Sequence, residues 1–450
     1  MTEKDRLGTE PVGRLMLRMA TPSVFAMIMQ ALYSTVDSMF VGRISATSLA
    51  AITLAFPVTM FSGAISTGIG VGINSSISRN LGAGCPDKSS KAAVNGMAIG
   101  LLSAFIMIMF GLFGVRTFLG LYTSDPTLIS DGIIYIRTIS LLAFGQIFTQ
   151  ISFSILQGSG NMVIPLLSQI AGAISVLVLD PLLILVFHMG IQGAGLASGC
   201  AQIVSMSVGL YGVFVVNKKN LEVRIKGFRP DIDVMKDILS VGIPSMLTQA
   251  TTSVVSGITN KIISVYGSAA ISVYGGFSKL SSFGILPVFG ITRGMTPILG
   301  YSYGAKNCER FIQTRRIALF CAFIISSVSG LSFVLLPNVA LSLINADENM
   351  RTIGMSAYRY LGTTLFICGI SIVLSQSFPP AKRSYLTMIY TISRQVGILI
   401  PLCLILSKEF GLTGVWVGYA LTDYLAFLIV LIMSVIFRRR VLDKWPAKVE

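Results

Sequence analysis

The 450-residue chain is 53% hydrophobic and only 12% charged, with a mean hydropathy of +0.78, whereas an average soluble domain is about 25% charged. That composition excludes a soluble globular or disordered protein and implies a polytopic membrane protein. The net charge of +15 is explained by basic flanks of membrane spans, so no nucleic-acid partner is required.

Stretches without Asp, Glu, Lys or Arg, such as 44–78 and 138–179, exceed the ~20 residues that cross a bilayer as a helix. Barrel strands would instead alternate over ~10 residues, so the expected fold is all-α. Twelve spans are predicted near 15–42, 50–76, 92–114, 132–155, 163–187, 194–216, 238–263, 271–297, 316–337, 357–378, 386–406 and 414–437. With both termini cytoplasmic, only Arg116, Arg351 and Lys408 fall in outer loops. The basic residues then satisfy the positive-inside rule, and "RRR" at 438–440 is an ordinary cytoplasmic flank.

Residues 1–10 are polar, and no cleavage site follows a short apolar core, so the first span is expected to be retained. Within it Gln30, Tyr33 and Asp37 share a face at i, i+3, i+7. Asp37 closes a charge-free run, 19–36, although an ionised Asp at the centre of a membrane helix costs ~2.5–3.5 kcal/mol on insertion scales. In the second span "GIGVG" at 68–72 has the glycines of a dinucleotide loop but no βαβ context, and small-residue helix packing explains it better. "GAGCPDKS" at 82–89 approaches a P-loop, yet Asp87 occupies the second glycine position, no strand precedes it, and a carboxylate there would repel phosphate.

The fourth span carries Gln146, Gln150, Ser154 and Gln157 on one face. The fifth has Gln169 and, almost three full turns later, Asp180, followed by Pro181, which is expected to kink the helix. The sixth has Ser198, Gln202 and Ser205. Lipid offers these groups no partners, so the stripes are expected to face one another or a water-filled cavity. Intramembrane carboxylates are functional by default, which singles out Asp37 and Asp180.

A long polar linker, 217–237, separates an N-lobe, 1–216, from a C-lobe, 238–450. In the C-lobe, Lys279, Arg394 and Asp423 sit deep in spans and are expected to form a polar ion-pair network. The two lobes repeat one design. In a single register Pro22-Ser23 falls on Pro244-Ser245, Gly82-Ala83 on Gly304-Ala305, Asp125 on Asp347 and Arg137 on Arg359; one residue out of it, Gly190 and Gly193 fall on Gly411 and Gly414. Two pseudo-symmetric six-helix lobes are the architecture of an alternating-access transporter. The six cysteines contain no CxxC pair and read as free thiols, and the single histidine, His188, lies at a span end. No catalytic residue, structural metal site or cofactor is expected, and an ion gradient is the remaining source of energy.

Seven stretches carry a family resemblance: "VDSMFVGRISATSLAA" from 36, "SRNLGAG" from 78, "LQGSGNMVIP" from 156, "LDPLLI" from 179, "GAGLA" from 193, "GYSYGAKN" from 300 and "GVWVGYALTD" from 414. The chain resembles the multidrug and toxic compound extrusion (MATE) transporters, and within them the DinF-like and MepA-like branch. The NorM-like branch has a Glu where this chain has Thr252. The resemblance implies a monomeric bacterial cell-membrane antiporter that exports lipophilic organic cations through an N-lobe coupling site. Its pattern carries over to Asp37, Asp180, Tyr33 and Ser198. It departs at Val176, one turn before Asp180, where several relatives have Asn; the lost oxygen favours H+ over Na+, with Ser175 a partial substitute. Gln30, Gln146, Gln150, Gln169 and Gln202 complete the expected cavity. The alternative is a lipid-linked oligosaccharide flippase of the same superfamily, which would use Lys261, Lys279 and Arg394 for pyrophosphate.

Overall fold

The computed structural model describes residues 3–41, 46–123, 125–225 and 228–445. The side chains of 36–39 and 46–52, Asp37 among them, lie outside the described residues. Sixteen helices follow in order: α1 (Glu3–Thr9), α2 (Val12–Val41), α3 (Ala46–Gly82), α4 (Pro86–Met109), α5 (Val115–Gly120), α6 (Pro126–Leu141), α7 (Ala143–Gly158), α8 (Val163–Asp180), α9 (Gly190–Tyr211), α10 (Ile232–Ser264), α11 (Ser268–Gly304), α12 (Cys308–Leu335), α13 (Pro337–Leu343), α14 (Glu348–Gln376), α15 (Ser384–Ile392) and α16 (Ile400–Phe437). No strand occurs among the described residues.

Among the described residues, eleven helical stretches are long and apolar enough to cross a membrane. The last, Ser384–Leu442, runs for 59 residues, or about 90 Å at 1.5 Å per residue, three times the hydrocarbon core. It is interrupted at Gly411, whose φ of 60° and ψ of −140° are non-helical. It therefore supplies two spans, and the chain is an all-helical polytopic membrane protein with the expected twelve.

The repeat read from sequence recurs in the backbone. Asp125 accepts a hydrogen bond from the Thr127 amide at 2.8 Å to start α6, and Asp347 does the same from Met350 at 2.7 Å for α14. Hydrogen bonds from the Thr127 side chain and then its amide hold the Asp125 carboxyl below its ordinary pKa. Left-handed residues also come in pairs at repeat-related positions: Gly84 with Lys306, Gly160 with Lys382, and Gly190 with Gly411.

Two compact units result, one of residues 1–9 and 25–246, the other of 10–24 and 247–450. The divisions fall inside α2 and α10, each two residues beyond a helix-interior proline, Pro22 and Pro244. The opening stretch of α2 groups with the second unit and that of α10 with the first. Close backbone approach explains these memberships. In the first unit a Cβ on Gly68 would lie 2.8 Å from the Gly242 carbonyl oxygen, and one on Gly72 would strike the Ile238 carbonyl oxygen. In the second, Cβ atoms on the repeat-related Gly290 and Gly294 would lie 2.6 Å from Val24 Cα and 2.7 Å from the Ala20 nitrogen. The glycines of "GIGVG" are thus helix-packing residues, with Gly70 set against Gln150 and Ser154 of α7.

Candidate functional site

Asp180 ends α8 inside the first unit and is fully buried, with 0% exposure. Pro181 follows. Instead of a simple kink, the chain widens into a π-helical turn, Pro181–Val186, in which the Phe187 amide reaches the Leu182 carbonyl at 2.9 Å. The missing proline N–H is thereby accommodated without exposing backbone to lipid.

Phe40 of α2, Ile184 beyond Asp180 and Ala194 of α9 form one apolar cluster. Positions 37 and 180 lie one turn before Phe40 and Ile184 on the first and fifth spans, and position 198 lies one turn after Ala194 on the sixth, which alternation of spans makes antiparallel to them. The cluster therefore sets positions 37, 180 and 198 at one level of the unit. Asp37 belongs to α2, and its side chain lies outside the described residues. Ser198 and Tyr33 are half-buried.

The amide stripe divides between packing and exposure. Gln146 accepts from Ser62 of α3 at 2.9 Å, and the Gln202 carbonyl accepts from Thr149 of α7 at 3.0 Å. Ser168 and Ser205 bond to each other's carbonyls at 2.5 and 3.1 Å, joining α8 to α9. Such bonds are helix glue, each worth ~0.6 kcal/mol in membrane proteins. Gln150, Gln169 and Gln202 are half-buried, and Gln30 is exposed.

In the second unit, Arg394 Nε and Nη2 lie 2.7 and 2.6 Å from Asp423 Oδ1. Arg394 stands on a π-helical turn, Ser393–Leu399, that joins α15 to α16. Next to it Gln395 donates to Thr252 of α10 at 3.1 Å. Tyr419, one turn before Asp423, meets Tyr274 edge-on at 6.0 Å, and Tyr274 stacks on Trp416 at 6.3 Å. The expected network of three has two members among the described residues, because Lys279 is exposed and forms no ion pair there. Lys279 lies five residues after Tyr274 on α11, which turns it about 140° away from that face.

One partly buried pair escaped the sequence reading. Arg79 near the end of α3 lies 2.7 Å from Asp237 in the first turns of α10, and Ser76 donates to the same carboxylate oxygen at 2.8 Å. Charges near span ends are common, so only the large sequence separation of two bulky, oppositely charged groups could have hinted at it. All six cysteines are free thiols.

Comparison with known proteins agrees with this architecture. Multidrug export protein MepA of Staphylococcus aureus (strain MSSA476) is 24% identical over 436 residues, covering 96% of this chain and 95% of that protein. A FAD transporter of Shewanella oneidensis is 22% identical over 443 residues, 94% of each. A solved structure described as the outward-facing conformation of a multidrug resistance MATE family transporter of the MOP superfamily superposes with a TM-score of 0.92 at 25% identity, over 98% of each chain. The MatE family model matches residues 22–182 and 244–405, two segments that open on the paired prolines. By that match, over both halves and most of its length, the chain belongs to the MatE family of membrane transporters.

Proposed function

We propose that the protein is a multidrug efflux antiporter that exports lipophilic organic cations, with Asp37 and Asp180 as its coupling groups. The observation that carries the reading is the complete burial of Asp180 inside a membrane-spanning helix. A carboxylate at membrane depth is expensive and marks an ion or proton pathway. Ionised, the pair attracts a cation; protonated from outside, it releases that attraction. A unit charge crossing the membrane is worth ~2.3 kcal/mol per 100 mV, and one pH unit ~1.4 kcal/mol, so protons supply adequate drive. Val176, buried beside the site, offers no oxygen ligand for sodium, which favours H+. Both termini are assigned to the cytoplasm by the distribution of basic residues.

The test uses purified protein in liposomes loaded with a fluorescent organic cation, with pH and sodium gradients imposed separately. Efflux driven by pH alone, and reduced at least tenfold in Asp37→Asn and Asp180→Asn, is the expected result. Unimpaired efflux by Asp180→Asn under the pH gradient would overturn the assignment. A second reading, an anionic cargo, is favoured by the exposed Lys261 and Lys279 inside spans and by the likeness to a FAD transporter. It predicts competition by an anionic dinucleotide and none by organic cations. The flippase alternative finds no counterpart among these relatives.

A further inference from the structure

At one end of the second unit, where α15 begins and α16 ends, Arg383, Tyr385, Leu386, Met433, Ile436 and Arg440 line a cavity of about 330 Å³. The Arg383 guanidinium sits 5.9 Å from the Tyr385 ring centroid, and its Nη1 lies 3.2 Å from the Tyr385 hydroxyl. Neither Arg383 nor Arg440 forms an ion pair among the described residues, whereas the neighbouring Arg438 is engaged by Asp443 at 3.5 Å and Arg315 by Ser434 at 2.9 Å. Two guanidinium groups thus converge without a carboxylate on a recess whose remaining wall is apolar. That wall continues along the helices through Ile389 and Ile432, 46% and 58% exposed.

The internal repeat supplies a control. Arg383 corresponds to Asn161, which follows Gly160 as Arg383 follows Lys382, both of those preceding residues being left-handed. Asn161 starts α8 in the ordinary way, its Oδ1 accepting from the amides of Val163 and Ile164 at 3.2 Å. The Arg383 guanidinium carries only donors and cannot accept from the first amides, so it forms no side-chain cap on α15. It also adds a positive charge at the positive end of a helix dipole. Breaking a local rule at a site that the other lobe solves normally indicates that the position serves something else.

We propose that this recess binds an anionic phospholipid. The headgroup phosphate would lie between Arg383 and Arg440 at the start of α15, with an acyl chain along Leu386, Met433 and Ile436. Charge complementarity names the occupant: a helix N-terminus and two guanidinium groups select a phosphate, and an apolar wall at a span end selects one that carries a lipid tail. A free phosphate would leave that wall uncovered. The inference does not depend on the cargo or the coupling ion.

The test is native mass spectrometry of the delipidated full chain in detergent with added dioleoyl phosphatidylglycerol or dioleoyl phosphatidylcholine. One phosphatidylglycerol is expected to be retained in preference to phosphatidylcholine. Its affinity is expected to fall about fivefold for each of Arg383→Gln and Arg440→Gln, the attraction of one basic side chain for an anionic leaflet. Arg439→Gln, outside the recess, is expected to leave it unchanged. Arg383→Asn, which restores the cap found in the other lobe, is expected to lower lipid affinity and to raise the melting temperature without lipid; a merely structural arginine predicts a lower one. Equal retention of both lipids, an equal effect of Arg439→Gln, or full displacement by soluble glycerol phosphate would each overturn the proposal.

Discussion

Asp423 and Arg394 show why removing one charge differs from removing two. Asp423 is 7% exposed and binds the guanidinium through a single oxygen at 2.6 and 2.7 Å. Asp423→Asn leaves a half-buried cation without its partner; losing one partner of a fully buried pair costs ~3–5 kcal/mol, and the 26% exposure of the Arg394 side chain places the expected loss below that range. The combined change Arg394→Met, Asp423→Leu removes both charges and is expected to be near neutral in stability. Thermal unfolding in detergent separates the two cases, and a double variant as unstable as the single would contradict this account. Buried charge also governs what could be read beforehand. Asp180 was conspicuous in the sequence because carboxylates are rare at membrane depth. Arg79 and Asp237 were not, since each lies near a span end, and Lys279 was grouped with Arg394 because depth along a helix says nothing about rotation around it.

At the scale of elements, glycines decide how closely helices approach. Gly72 of α3 leaves no room for a Cβ against Ile238. Gly72→Ala is therefore expected to pry the start of α10 from α3, and hydrogen exchange around Ile238 should quicken at least tenfold. Gly411 has open space around it, its nearest neighbour being Tyr266 at 4.0 Å, and its restriction is the backbone φ of 60°. Gly411→Ala is expected to cost ~1–3 kcal/mol through strain alone, visible as a lower melting temperature with unchanged packing elsewhere. The twelve spans were legible because length and hydropathy fix them. The π-helical turns at Pro181–Val186 and Ser393–Leu399 were not, because they depend on how one wide turn restores backbone hydrogen bonds in a particular packing. A proline stands beside each, Pro181 opening the first and Pro401 just beyond the second, but it marks a break in the helix and not the form the break takes.

For the whole molecule, the repeat was present in the sequence, as was the placing of Asp37 and Asp180 in the first unit and of Lys261, Lys279 and Arg394 in the second. The membership of the opening segments of α2 and α10 was not, since it follows from tertiary contacts that local pattern does not encode. Those segments make a prediction about assembly. Residues 1–225 produced alone lack the part of α10 that covers Gly68 and Gly72, and residues 228–450 lack the part of α2 that covers Gly290 and Gly294. Each half is expected to be degraded by added protease at concentrations that leave the full chain intact, and co-production of both is expected to restore resistance. Stable halves in isolation would refute the shared memberships.

Two helices, α2 and α10, thus begin in one unit and end in the other, so neither unit is a continuous stretch of the chain. A six-span chain of this design is unfinished by itself, and it becomes whole when a second copy lends its first segment in exchange. Carrying both halves in one polypeptide fixes the stoichiometry that such an exchange requires. The halves differ in charge at matched positions, Asp37 aligning with Thr259 and Asp423 with Gln202, while the glycines that receive the lent segment are the same.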